Sequence, residues 1–113
     1  MELVLVMFIL GLLAAIAVPN ISSSIQRARE AALIENLTVM RRAIGDYFAD
    51  RAVYPDTLDA LVAARYIQFV PEDPVAEPED GWRTVAHPEL GGIWEVRSTS
   101  DKEGLNGVRY SEW

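Results

Sequence analysis

The chain has 113 residues and a net charge of −7, with no cysteine and a single histidine. That length admits one small domain and one membrane segment, and without cysteine no disulfide holds a head domain together. Ten basic residues without a basic run argue against a nucleic-acid partner, whose binders show a clustered positive footprint.

The first element is an apolar run, Leu3–Val18, with no polar side chain and with one acid, Glu2, before it. A charge at the centre of a membrane helix costs about 2.5–3.5 kcal/mol, and less near an end. A carboxylate at the edge of such a run lies near headgroups, is protonated, or pairs with a cation. The first basic residue is Arg27, so the partner is a chain terminus or a second molecule. A spanning helix needs about 20 apolar residues. The competing reading is a secretory signal peptide with Ala14-Ala15-Ile16-Ala17 as its small-residue site. Against it, no basic segment precedes the run, and helix-forming sequence follows where a polar break is expected.

After Pro19 the positions Ile21, Ile25, Ala28, Ala32, Leu33, Leu37, Met40, Ile44 and Tyr47/Phe48 step by three and four, which predicts one stripe of an amphipathic helix. Arg27, Arg29, Glu30, Glu35, Arg41, Arg42 and Asp46 are assigned to its solvated remainder. Pro19 predicts a kink, and Tyr54-Pro55 predicts an end near Asp50–Val53. The helix would then reach roughly 75–80 Å, too long for so small a domain to cover. Lipid or other copies must sheathe its first half.

Asp56 is the expected cap of a second helix, Thr57–Ala64, with Leu58, Leu61 and Val62 inward. A proline-rich acidic loop follows, residues 72–80, and then three strand candidates: Trp82–Ala86, Ile93–Ser98 and Val108–Trp113. The expected fold is α+β, a long N-terminal helix packed on a small three-stranded antiparallel sheet. Trp82, Trp94 and Trp113 are expected to cover Leu37, Met40 and Ile44. The organisation divides at residue 20, with a membrane or filament-core half (1–20) ahead of the amphipathic half and head (21–113).

Catalytic chemistry is thin. His87 precedes Pro88 in a turn-rich stretch without a serine or cysteine motif, and there is neither a metal-spaced His/Cys cluster nor a glycine-rich phosphate loop. The acids of 72–80 read as a solvated loop, and the chain reads as no enzyme.

The segment MELVLVMFILGLLAAIAVPN resembles the N-terminal helix of the type IV pilin and type II secretion pseudopilin superfamily, with Glu2, Gly11 and Pro19 at the offsets of that family's acid, mid-helix glycine and proline. In that family prepilin peptidase removes a basic leader, and the mature chain begins at a methylated phenylalanine shortly before the acid. The resemblance therefore implies that Met1 is internal to a longer native chain or a misplaced start. A second likeness, to the G-type pseudopilins, runs through Tyr54-Pro55, Tyr66–Pro74 and Ile93–Trp113. The missing cysteines agree with it, because many pilus-forming relatives carry a C-terminal disulfide.

The resemblance implies a subunit stored in the bacterial inner membrane with its head in the periplasm. An assembly platform would extract it into a helical homo-oligomeric filament together with minor pseudopilins. Glu2 would pair with a neighbour's N-terminal amine, and Gly11 would be a close-packing point. It also implies a calcium ion in the loop before the last strand, where Ser98, Asp101 and Asn106 are the candidate ligands. Ser100, Lys102 and the Leu105-Asn106-Gly107 stretch depart from the family pattern there. The alternative is a loop held by its own side-chain to backbone hydrogen bonds. Two other functions stay open: a type IV pilus subunit, and a single-pass anchored binding module that never polymerises.

Overall fold

A computed structural model describes residues 2–113, apart from the side chains of residues 16–22. Helix α1 spans Glu2–Arg51, and its 50 residues at ~1.5 Å each account for the long axis of a particle measuring 75 × 27 × 23 Å. The side chains of Pro19 and Ile21 lie outside the described residues, and the backbone is helical through both positions. α1 ends ahead of Tyr54-Pro55 as expected, with Ala52 in the left-handed region at φ 58° and its N–H donating to the Phe48 carbonyl at 2.7 Å.

The buried stripe of α1 is Glu30, Leu33, Leu37, Met40, Ala43 and Ile44. This corrects the expected stripe in its first half, because Ile25, Ala28 and Ala32 are exposed. At 100° per residue, Gln26 and Glu30 continue the line of Leu33 and Leu37, while Ala28 and Ala32 turn away from it. The stripe therefore carries polar residues where it meets the edge of the head.

Helix α2 spans Leu58–Ala63. Its cap is Thr57 rather than the expected Asp56: the Thr57 Oγ1 accepts from the Ala60 N–H at 3.2 Å. Thr57 stands three residues before the orphan donor, the spacing an N-cap needs, and Asp56 stands one too far. Arg65 follows α2 at φ 67°, and the Tyr66 N–H closes on the Leu61 carbonyl at 2.9 Å, a Schellman-type ending without glycine.

Strands β1 (Trp82–Ala86) and β2 (Ile93–Ser98) form an antiparallel pair, with Trp82 opposite Ser98 and an irregularity at Val85/Ala86. The expected third strand does not form. Its segment makes one isolated bridge, Glu103 to Arg109, and then a 3-10 turn over Tyr110–Glu112. Tyr110 and Ser111 are both buried, which a strand with one face on the core cannot achieve for successive residues. The fold is α+β with a two-stranded sheet.

The core joins Leu33, Leu37, Met40 and Ile44 of α1 to Leu61, Ile67, Ile93, Val96 and Tyr110. Trp82 and Trp113 pack against it as expected. Trp94 does not: it faces out of β2 with its ring edge-on to His87.

Candidate functional site

The residues expected to govern assembly lie on the half of α1 that the head does not touch. Between Leu3 and Leu13 every large apolar side chain is 48–73% exposed. Such a continuous apolar surface marks an interaction site. Glu2 is exposed in the first turn, where a carboxylate suits the positive end of the helix dipole. Gly11 has open space around it, since a Cβ placed there meets nothing within 4 Å, so no contact within the chain calls for a glycine. The structure brings neither residue together with another group of the chain. Among the described residues no helix is long and apolar enough to cross a membrane. The described side chains of this stretch stop at Ala15, and the apolar run of the sequence continues to Val18.

The expected calcium ligands are drawn into local bonds instead. Ser98 is fully buried; its hydroxyl donates to Asp73 Oδ2 and accepts from the Ser100 N–H. Asp101 Oδ1 accepts from the Ser111 hydroxyl at 2.9 Å, and Asn106 Oδ1 from the Val108 N–H at 3.0 Å. Asp101 shares a hollow of about 440 Å³ with Glu77, Asp80 and Lys102, so the ammonium already supplies positive charge there. Calcium needs six to eight oxygens. Among the described residues no group of three or more acids or histidines is placed to hold a metal. With Ser98 sealed, Asp101 and Asn106 each bonded within the loop and Lys102 beside them, the expected ligands do not fit that ion.

Two buried carboxylates hold the head's loops, where solvated positions are expected for both. Glu30, 8% exposed, accepts from the Leu105 N–H at 2.7 Å and the Tyr110 hydroxyl at 3.0 Å through the same Oε1. This ties the C-terminal loop to α1. Gly104 permits the approach, because a Cβ there would stand 2.6 Å from the Trp113 ring and 2.9 Å from Glu30 Oε1. Asp73, 6% exposed, accepts from the Val75 N–H and the Ser98 hydroxyl, tying the acidic loop to β2. The remaining acids of 72–80 are exposed. Arg41 adds a third tie, reaching Glu95 at 2.9 Å and the carbonyls of Val96 and Trp113. The signal for Glu30 was its place in line with Leu33 and Leu37; for Asp73 the sequence carried none.

At the opposite end of the head the Tyr66 hydroxyl donates to Asp50 at 2.6 Å, which pushes the phenol above its ordinary range. Arg51 stands over the Tyr47 ring at 4.9 Å, and the Tyr66 hydroxyl beside it raises the guanidinium further.

Over 99 residues the chain is 27% identical to the type II secretion system core protein G of Klebsiella michiganensis, covering 87% of this chain and 70% of that protein. It is 30% identical over 94 residues to the core protein G of Aeromonas hydrophila, covering 69% and 66%. With the Klebsiella pneumoniae protein the identity is 31% over 90 residues, covering 66% and 64%. The chain belongs to the G-type pseudopilins of type II secretion. No family model matches it, and no solved structure does. The match covers 54% of the length of the Dickeya chrysanthemi core protein G.

Proposed function

We propose that this chain is a structural subunit of a type II secretion pseudopilus, polymerising through the first half of α1 and exposing its head. The observation that carries the reading is the bare apolar surface from Leu3 to Leu13 on a helix whose other half is covered by its own domain. In the inner membrane lipid would cover that surface, with the head in the periplasm and the division near residue 20. In the filament, other copies would cover it. The resemblance brings an assembly platform, prepilin peptidase and minor pseudopilins as partners. The relatives bear the name of a core secretion component, and that kinship supports a structural role.

Glu2 would neutralise a neighbour's N-terminal amine, because neither charge is stable alone among apolar helices. Gly11 and Pro19 would shape the packing of adjacent helices. Calcium takes no part in this reading. Electron microscopy of sheared filaments from cells carrying Glu2→Leu provides the test. We expect normal membrane insertion with few or no filaments, since losing one partner of a buried pair costs about 3–5 kcal/mol. Normal filament yield would refute the pairing. Absence of filaments from the unaltered chain would favour the anchored binding module, and surface pili without secretion would favour a pilus subunit.

A further inference from the structure

The turn that joins β1 to β2 is folded around the imidazole of His87. Its ends are tied by the His87 N–H donating to the Gly92 carbonyl at 2.8 Å and the Gly91 N–H donating to the His87 carbonyl at 3.1 Å. Between them the N–H groups of Glu89 and Leu90 both donate to His87 Nδ1, at 3.2 and 3.0 Å. A ring nitrogen that accepts carries no proton, so this is the neutral imidazole with its hydrogen on Nε2. The ring is half-buried, stacked on Tyr54 at 5.3 Å and edge-on to Trp94 at 5.3 Å. Tyr54 stacks in turn on Phe48 of α1, and Gly92 lies against the Tyr54 backbone, where a Cβ would stand 2.7 Å from the carbonyl oxygen. The turn therefore sits beyond the C-terminal end of α1, opposite the bare half.

Elsewhere in the head the same device appears with other acceptors, each taking the N–H two residues on: Asp73 from Val75, Ser98 from Ser100, Ser100 from Lys102 and Asn106 from Val108. All of these acceptors are oxygens, which keep lone pairs whatever their charge. Nδ1 is different, because both nitrogens of an imidazolium are donors, and histidine is the side chain that changes charge between pH 5 and 8. We propose that His87 makes this turn an acid-sensitive latch. Neutral, the ring closes on the Glu89 and Leu90 amides; protonated, it turns a third donor toward them and the turn opens. The aromatic neighbours do not resist the charge, since a cation stacked on Tyr54 is attracted to its face. The two amides do. Around the ring stand Tyr54 from the segment after α1, Trp94 from β2 and Glu89 of the turn itself, and Phe48 of α1 lies behind Tyr54. Among the described residues no carboxylate forms an ion pair with His87, and Glu95, next to Trp94, is committed to Arg41. Nothing that faces the ring therefore compensates an imidazolium there. Opening would uncover the side of Trp94 that the ring protects. The device holds whichever machine the subunit serves.

Nitrogen-15 NMR of the full chain in detergent micelles, titrated from about pH 8 to about pH 5, reads the ring and the turn separately. His87 is the only histidine, so its ring signals are unambiguous. As Nδ1 takes its proton, the Glu89 and Leu90 amide signals should shift toward the positions of unbonded amides with the same midpoint, and the Trp94 indole signal should move with them. His87→Asn supplies an oxygen acceptor of the kind that Asn106 already provides in this chain. Its turn should stay closed, with both amide signals unmoved over the whole range. His87→Phe keeps a ring for Tyr54 and Trp94 but no acceptor, and should show the open-turn signals at every pH. Amides that stay in place while Nδ1 protonates would overturn the latch, and so would a ring that stays neutral to the acid end of the titration. So would an asparagine variant whose amides still titrate. The first two outcomes are read on the unaltered chain and do not depend on either variant folding.

Discussion

Leu3 and Leu33 are the same residue type in the same helix, yet Leu3 is 73% exposed and Leu33 is 0% exposed. Helix formation alone therefore says nothing about where α1 gains its stability. The second half is held by the head's core. Among the described residues the first half has no partner in its own chain and adds nothing to the head's core, and on the proposed reading it serves insertion and assembly. The proposed function thus separates stability from assembly along a single 50-residue element, and substitutions in the two halves should have effects of different kinds.

The largest contrast is between truncations in the two halves. Leu33→Ala or Met40→Ala should lower the stability of the head by about 2–5 kcal/mol, because each leaves a cavity among fully buried neighbours. Leu5→Ala should change it by no more than about 0.5 kcal/mol. Thermal melts of the three variants measure the difference directly. Next in size is Glu30→Ala, which strands the Tyr110 hydroxyl in the interior, removes the acceptor of the Leu105 N–H and should cost about 1–3 kcal/mol. Glu30→Gln keeps an acceptor and should cost less. Equal losses from both variants would show that packing, rather than hydrogen bonding, holds the loop.

Much of this division was legible in the sequence. The unbroken apolar run and the acid before it identified the bare half of α1, and Tyr54-Pro55 marked its end. The apolar stretches bounded by turn residues located both strands. The parts that were not legible depend on contacts between distant segments. Glu30 looked like a surface charge because the groups it serves lie 75 and 80 residues away. Asp73 sits among exposed acids and is singled out only by Ser98, 25 residues on. The segment Val108–Trp113 has β-forming composition, but burying Tyr110 beside Glu30 and Trp113 outweighs strand pairing. Local preference gives way there to a tertiary contact.

Smaller effects sharpen the picture of the covered half. Arg65→Gly relieves a left-handed φ at the end of α2 and should stabilise the head by about 1 kcal/mol in a denaturant titration. Tyr66 contributes through its raised phenol. The folded form holds that proton more tightly than the unfolded chain, so the contribution is complete below the ordinary tyrosine value of about 10 and is lost as pH rises through the folded value. Tyr66→Phe should therefore lower stability slightly at neutral pH, where the contribution is complete, and flatten the alkaline limb of the stability curve. Chelation of divalent cations should produce no shift in melting, because Asp101 and Asn106 are engaged in the loop's own hydrogen bonds and Lys102 lines the same hollow as Asp101.

The separation of folding from assembly is tested most directly by deleting residues 1–22 and following the remaining chain by sedimentation and thermal unfolding together. The account predicts a monomer that unfolds cooperatively, retains the buried Glu30 contacts and forms no filaments. An unfolded chain, or one that folds only as a dimer, would show that the bare half of α1 completes the head, and the account would be wrong.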